Sequence, residues 1–340
     1  MALRTALAGC LPDGDITYTR MNQLAGIDHK TVQIGDGTGM TPEQIDSVLK
    51  GLNIPHRKIS HEPQLDLILP TEYQRELYGY IESGCACLVG FELAAASGST
   101  QPATRHMIPV IGHTFNEDAW VPEAQRMYFG GDVGYLPSEN WLSSYVIHDD
   151  NVGPYLCLPR HYLRQDNFRI IYGLQKEETV CSPSEAEAIS LSYIIAIVKN
   201  PSYSSEVWLE RLSLFAQFGS LVLRTQYVQR DEYLAHLESM VTWGGETLDT
   251  GTRERIAAVL PDHFWMTEAS VPDLFSSSRR KLGEVLLDAK TVPSKPLNAD
   301  LLLAARLPGF FFVREQGNLG IVQSPIKEHT ELFSHGAQNS

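Results

Sequence analysis

The stretch that most constrains this chain is RHMIPVIGHTFNED, residues 105–118. In it His106 opens an apolar run, Met107-Ile108-Pro109-Val110-Ile111, that Gly112 closes. Downstream, YVIHDDNVGPY at 145–155 is a second short β-like run, and it delivers Asp149 and Asp150. Brief apolar runs bounded by Gly, Asn and Asp predict strands. A histidine opening one strand and a carboxylate ending another is the layout of a general base and its orienting partner. Such a pair calls for a nucleophile, and the sequence marks none clearly.

The 340 residues suffice for two domains with a sizeable core. Hydrophobic residues are 43% and charged residues 20%, an ordinary globular balance. The net charge of −14 and the pI near 5.2 would repel phosphate backbones. The one basic cluster is Arg279-Arg280-Lys281, so neither nucleic acid nor an anionic membrane is an expected partner. The five cysteines, Cys10, Cys85, Cys87, Cys157 and Cys181, are odd in number in a large chain. That does not indicate a disulfide framework. Cys85-x-Cys87 lacks a second Cys or His pair at zinc spacing, so no metal or other cofactor is expected. A reducing, cytoplasmic setting fits best.

Leu7-Ala8-Gly9-Cys10 matches a lipoprotein processing box, but the apolar stretch before it is too short for a signal peptide. No stretch approaches the ~20 apolar residues of a membrane span. The best candidate, residues 300–313, is broken by Arg306 and Pro308.

In chain order, residues 2–10 read as a short Ala/Leu-rich helix and 17–25 as a second, with Tyr18, Met21 and Leu24 on one face. Gly35-Asp36-Gly37-Thr38-Gly39 is not followed by Lys-Ser/Thr and so is not a P-loop. Thr41-Pro42-Glu43-Gln44 is a capping box ahead of Ile45, Val48, Leu49 and Leu52 at helical spacing. A strand at 54–59, a helix at 71–83 and a buried, central strand at 85–93 follow. After the His106 strand comes a long insertion, 116–144, read as a lid or an extra subdomain; then comes the Asp149 strand.

Beyond about Gln165 the pattern changes. Expected there are strands at 168–174 and 221–227, and a long helix capped by Ser182-Pro183-Ser184-Glu185. Helices at 205–218 and 231–240 follow, then strands at 263–270 and 283–289, a hairpin around Gln316-Gly317-Asn318, and a loose tail from His329.

The order of features over residues 1–160 resembles the papain-like cysteine peptidases of the bacteriocin-processing, C39-like branch. Three pieces carry the likeness. Gly39-Met40-Thr41-Pro42 leads into a helix, His106 heads an apolar run ending at Gly112, and Val146-Ile147-His148-Asp149 is a strand ending in Asp. The resemblance implies a peptidase fold in which His106 is the general base and Asp149 orients it. The family's cysteine, and the glutamine ahead of it, would fall at or before Met1. Cys10 sits at the far end of the first helix, roughly 13 Å away at 1.5 Å rise per residue.

The expected fold is therefore α+β: a papain-like domain at 1–165, with a helical part and an antiparallel sheet, then a mixed α/β domain at 166–340 of unknown role. The expected function is a cysteine hydrolase acting on a peptide or amide bond, truncated or silent if the cysteine is missing. The alternative is a non-catalytic module that uses the same cleft to bind a peptide or protein. His113 as a second candidate base, and Glu268 with Glu284 as a carboxylate pair without a histidine, are weaker signals, each more simply structural.

Overall fold

The computed structural model describes residues 3, 6, 17–27, 39–60, 71–93, 104–116, 128–130, 133–149, 152–162, 168–199, 221–241, 245–294, 300–308, 310–315, 318–323 and 329–335. The expected helix at 205–218, the glycine-rich loop before Gly39 and Cys10 lie outside them. In the first half the elements are α1 (Tyr18–Leu24), α2 (Pro42–Gly51), β1 (His56–Ser60), α3 (Thr71–Glu82), β2 (Cys87–Leu93), β3 (Thr104–Phe115), β4 (Tyr128–Gly130), β5 (Val133–Pro137), β6 (Leu142–Asp149), β7 (Gly153–Pro159) and β8 (Phe168–Leu174). In the second half they are α4 (Pro183–Lys199), β9 (Leu221–Gln229), α5 (Arg230–Ser239), α6 (Thr250–Val259), β10 (His263–Ser270), α7 (Pro272–Ser278), β11 (Arg280–Lys281), β12 (Gly283–Leu287), β13 (Leu302–Leu307), β14 (Phe310–Glu315), β15 (Asn318–Gln323) and β16 (Thr330–Glu331). The fold is thus a mixture of helices with antiparallel and mixed sheets.

Two compact units emerge. The first comprises Met1–Ile81, Cys85–Thr114 and Ser143–Glu178; the second comprises Glu82–Gly84, Phe115–Leu142 and Thr179–Ser340. The changeover falls after Glu178 rather than after residue 165, because β8 pairs antiparallel with both β1 and β2. Of the 116–144 insertion, residues up to Leu142 group with the second unit. Its strand β5 runs parallel to β9, Tyr135 opposite Leu221, and joins the second unit's sheet.

In unit 1 the strand order is β1-β8-β2-β3-β6-β7. β2 is central, as its nearly continuous apolar run anticipates. Strand alternation sorts the side chains to two faces. On one face Leu88, Ile170, Tyr172 and Leu174 form a core with Met21, Ile45, Val48 and Leu49 of α1 and α2, joined by Leu3 and Ala6. The Thr41 capping box fixes where α2 starts: Gln44 N–H donates to Thr41 Oγ1 at 3.3 Å, and Thr41 N–H donates to Gln44 Oε1 at 2.8 Å. On the other face Tyr80 of α3 lies against Gly173, opposite Cys87. A Cβ at Gly173 would meet the Tyr80 ring at 2.8 Å. Gly173→Ala is therefore expected to cost about 1–3 kcal/mol in urea unfolding, as overpacking does. A change within about 0.5 kcal/mol would mean that the ring moves aside freely.

Unit 2 holds an eight-stranded sheet, β15-β14-β13-β12-β10-β9-β5-β4, covered on both faces. Ala186, Leu191, Ile194 and Ile197 of α4 pack on Leu223, Trp265, Val285 and Phe312. The helix starts at the Ser182–Glu185 box, with Ser182 N–H donating to Glu185 Oε2 at 2.7 Å and Glu185 N–H to Ser182 Oγ at 3.3 Å. On the opposite face Tyr233 and Leu237 of α5 and Ile256 of α6 pack on Val228, Phe264, Met266 and Phe311. The β14–β15 hairpin forms where Gln316-Gly317-Asn318 predicts it. The described part of the tail, residues 329–335, is not loose. β16 pairs with β11, and Phe333 is buried in the α5-side core. Among the described residues no helix is long and apolar enough to cross a membrane.

Candidate functional site

His106 and Asp149 come together in unit 1. His106 lies near the start of β3 and Asp149 is the last residue of β6, the neighbouring strand. A hydrogen bond between Thr114 Oγ1 and Ser143 Oγ, 2.7 Å, ties these strands at their other ends. His106 Nε2 is 3.1 Å from Asp149 Oδ2, with the side chains 20% and 13% exposed. Phe91, directly opposite His106 on β2, meets the imidazole edge-on at 5.6 Å and helps hold its plane. Beyond Ile147 the β6–β7 register shifts by a bulge before Asp149 pairs with Gly153, and a bulge re-aims the side chain that follows it.

A carboxylate only accepts, so Nε2 donates and the tautomer is set. Nδ1 then keeps its lone pair, with no hydrogen-bond partner among the described residues. A base in this state can take a proton from a thiol or hydroxyl. His113, the other candidate, packs its ring against Tyr78 at 5.2 Å. Of the cysteines, Cys85, Cys87 and Cys181 are buried, whereas Cys157 is exposed on β7 opposite Val146. Among the described residues no cluster of three or more His, Cys, Asp or Glu is placed to hold a metal.

Unit 2 contains a second constellation that sequence reasoning largely missed. Arg224, Glu268, Glu284 and Arg306 stand directly opposite one another on β9, β10, β12 and β13. They form a buried row across the sheet with charge order plus, minus, minus, plus. Lys281, fully buried, bridges the two carboxylates at 2.7 Å from Glu268 and 2.5 Å from Glu284. Arg224 also pairs with Glu82 at 2.5 Å and Arg306 with Glu284 at 3.2 Å. Three cations thus balance three carboxylates.

Burial opposes the ionised form of Glu268, but Lys281 and Arg224 outweigh it and hold the carboxyl below its ordinary range. Glu284 is held down likewise, against burial, by Arg306 and Lys281. The Tyr233 hydroxyl donates to Glu284 at 2.9 Å, and burial keeps that phenol protonated. The histidine lacking beside the Glu268–Glu284 pair is His236 of α5, its Nε2 3.3 Å from Lys281 Nζ. Burial, then the Lys281 ammonium, push His236 down to about 4, so it is neutral at pH 7 and accepts from the lysine.

No family model, curated protein or solved structure matches this chain. The chemistry of the two constellations therefore stands on geometry alone. They differ in kind. The His106–Asp149 pair offers a nitrogen that no described residue occupies. In the unit 2 network every charge has an opposite charge against it, the pattern of an internal frame.

Proposed function

We propose that unit 1 is a cysteine-hydrolase-type domain acting on a peptide or amide bond, with His106 as general base and Asp149 as its orienting carboxylate. The observation that carries this reading is the 3.1 Å Nε2–Oδ2 hydrogen bond. It commits Nε2 as donor and leaves Nδ1 to take the thiol proton. The resulting thiolate attacks the carbonyl carbon. The imidazolium then gives its proton to the leaving amine as the C–N bond breaks. Water hydrolyses the thioester and restores the thiol.

Site-mapped alkylation with iodoacetamide at pH 7 tests the reading. An isolated thiol is only a few per cent ionised there, whereas a thiol paired with imidazole is mostly thiolate. Exposed Cys157 serves as the solvent-accessible reference thiol. One other cysteine is expected to react roughly tenfold faster, allowing for the lower nucleophilicity of a low-pKa thiolate. That advantage should vanish in His106→Ala and shrink in Asp149→Asn. If no cysteine outpaces Cys157 and His106→Ala changes nothing, the hydrolase reading fails. The domain would then be better treated as a module that binds a peptide without cutting it.

A further inference from the structure

The buried charges of unit 2 do more than pair with each other. Glu268 Oε1 accepts the Phe333 backbone N–H at 2.7 Å, and Arg224 Nη1 donates to the Phe333 carbonyl at 2.8 Å. The same arginine nitrogen is 2.9 Å from Glu268 Oε2. A single buried ion pair therefore reads both backbone groups of one residue. Arg306 Nη2 donates to Thr330 Oγ1 at 2.8 Å. Sheet ladders normally satisfy a strand's backbone, yet here the ladder is two residues long, Arg280 opposite Glu331 and Lys281 opposite Thr330. Leu332 N–H adds one bond to the Arg279 carbonyl at 3.0 Å.

The side chains of the segment seat separately. Phe333 is 1% exposed, its ring edge-on to His236 at 5.4 Å and to His335 at 5.0 Å, within the core of Tyr233, Met266 and Phe311. Leu332 lies in another cluster with Trp141, Val222 and Phe275. His335 Nδ1 is 3.0 Å from Glu232 Oε2. A short strand added at an edge, backbone groups met by fixed side chains and one aromatic anchor in a pocket are how proteins capture extended peptides.

From this we propose that unit 2 carries a peptide-recognition site, occupied here by the chain's own residues 329–335, which also takes the same peptide from outside. The charge balance permits exchange. The network keeps three cations against three carboxylates whether or not the segment is seated, so departure strands no net charge. The partner class is an extended peptide with a hydrophobic-aromatic pair matching Leu332-Phe333.

The test uses the whole chain with a site-specific protease sequence placed between Gln323 and His329, cut after folding. The freed segment is expected to remain bound and to be displaced by a labelled synthetic peptide of residues 329–335. The same peptide bearing Phe333→Ala should compete roughly tenfold or more weakly. The uncut chain should bind no peptide, whereas the uncut Phe333→Ala variant should bind the unmodified one. Unfolding on cutting would overturn the proposal by showing that the segment is integral to the fold. So would a cut segment that excess peptide does not displace, or a folded Phe333→Ala variant that binds nothing.

Discussion

Lys281→Met is expected to destabilise unit 2 by about 3–5 kcal/mol, the usual cost of leaving one side of a buried ion pair unmatched. Among the described residues the lysine is the only cation that pairs with both Glu268 and Glu284, which face each other across β10 and β12. Both carboxylates are at most 1% exposed, so neither gains water when the ammonium goes. Arg224, shared between Glu82 and Glu268, and Arg306, paired with Glu284, lie on the outer sides of the row and do not separate Glu268 from Glu284. One carboxyl in the variant must therefore take up a proton, as paired carboxylates do. Two consequences follow in urea unfolding. The gap between wild type and variant should narrow from pH 7.5 to pH 5, where that proton is easier to acquire. Lys281→Met combined with Glu268→Gln should recover part of the loss, because two cations then face two anions. A single variant within about 1 kcal/mol of wild type at pH 7.5 would show that the row tolerates an uncompensated charge, and the account of its balance would fail.

That row also shows where sequence reading stops. Local signals were legible. The Thr41 and Ser182 capping boxes start helices, the apolar run of β2 is central in its sheet, and β14 and β15 pair antiparallel on either side of the expected turn. The strands carrying His106 and Asp149 were legible too, the first near its start and the second at its end, and the structure brings the two side chains within hydrogen-bonding distance. Non-local pairing was not. Arg224, Glu268, Glu284 and Arg306 each look like a solvated position on an amphipathic strand, and only the register of four strands reveals one line of buried charge. Lys281 sits in the one basic cluster of the sequence and reads as exposed, yet its pairing opposite Thr330 puts it in the interior. His236 carries no motif. Its importance comes from helix α5 lying over the row. The place of β5 is hidden for the same reason: its three-residue parallel pairing with β9 leaves no local trace.

Acidification should weaken unit 2 well before its carboxylates titrate, and His236 is the cause. The groups around it are Lys281 of β11, Glu284 of β12, Glu268 of β10 and Arg306 of β13, with the Phe333 ring edge-on. Burial and the neighbouring ammonium lower its pKa to about 4 in the folded protein, against an ordinary value of about 6.5. Since the unfolded chain takes the proton first, stability is lost as pH falls below about 6.5 and the loss levels off near 4. A shift of this size corresponds to roughly 3 kcal/mol, somewhat less because part of the ring is exposed. Glu268 and Glu284 act in the same direction lower down. Their folded pKa values are depressed, so their contribution is complete above the ordinary carboxylate range and is lost as pH falls below it through the lowered folded values. Unfolding free energies measured from pH 7.5 down to about pH 2.5 should therefore fall in two stages, the upper one belonging to His236. His236→Gln keeps an acceptor for Lys281 without a titrating group, and it should flatten the upper stage while leaving the lower one in place. If the slope between pH 6.5 and 4.5 is the same in both proteins, the neutral histidine is not what makes this core sensitive to acid. The source would then have to be sought among the carboxylates of the row.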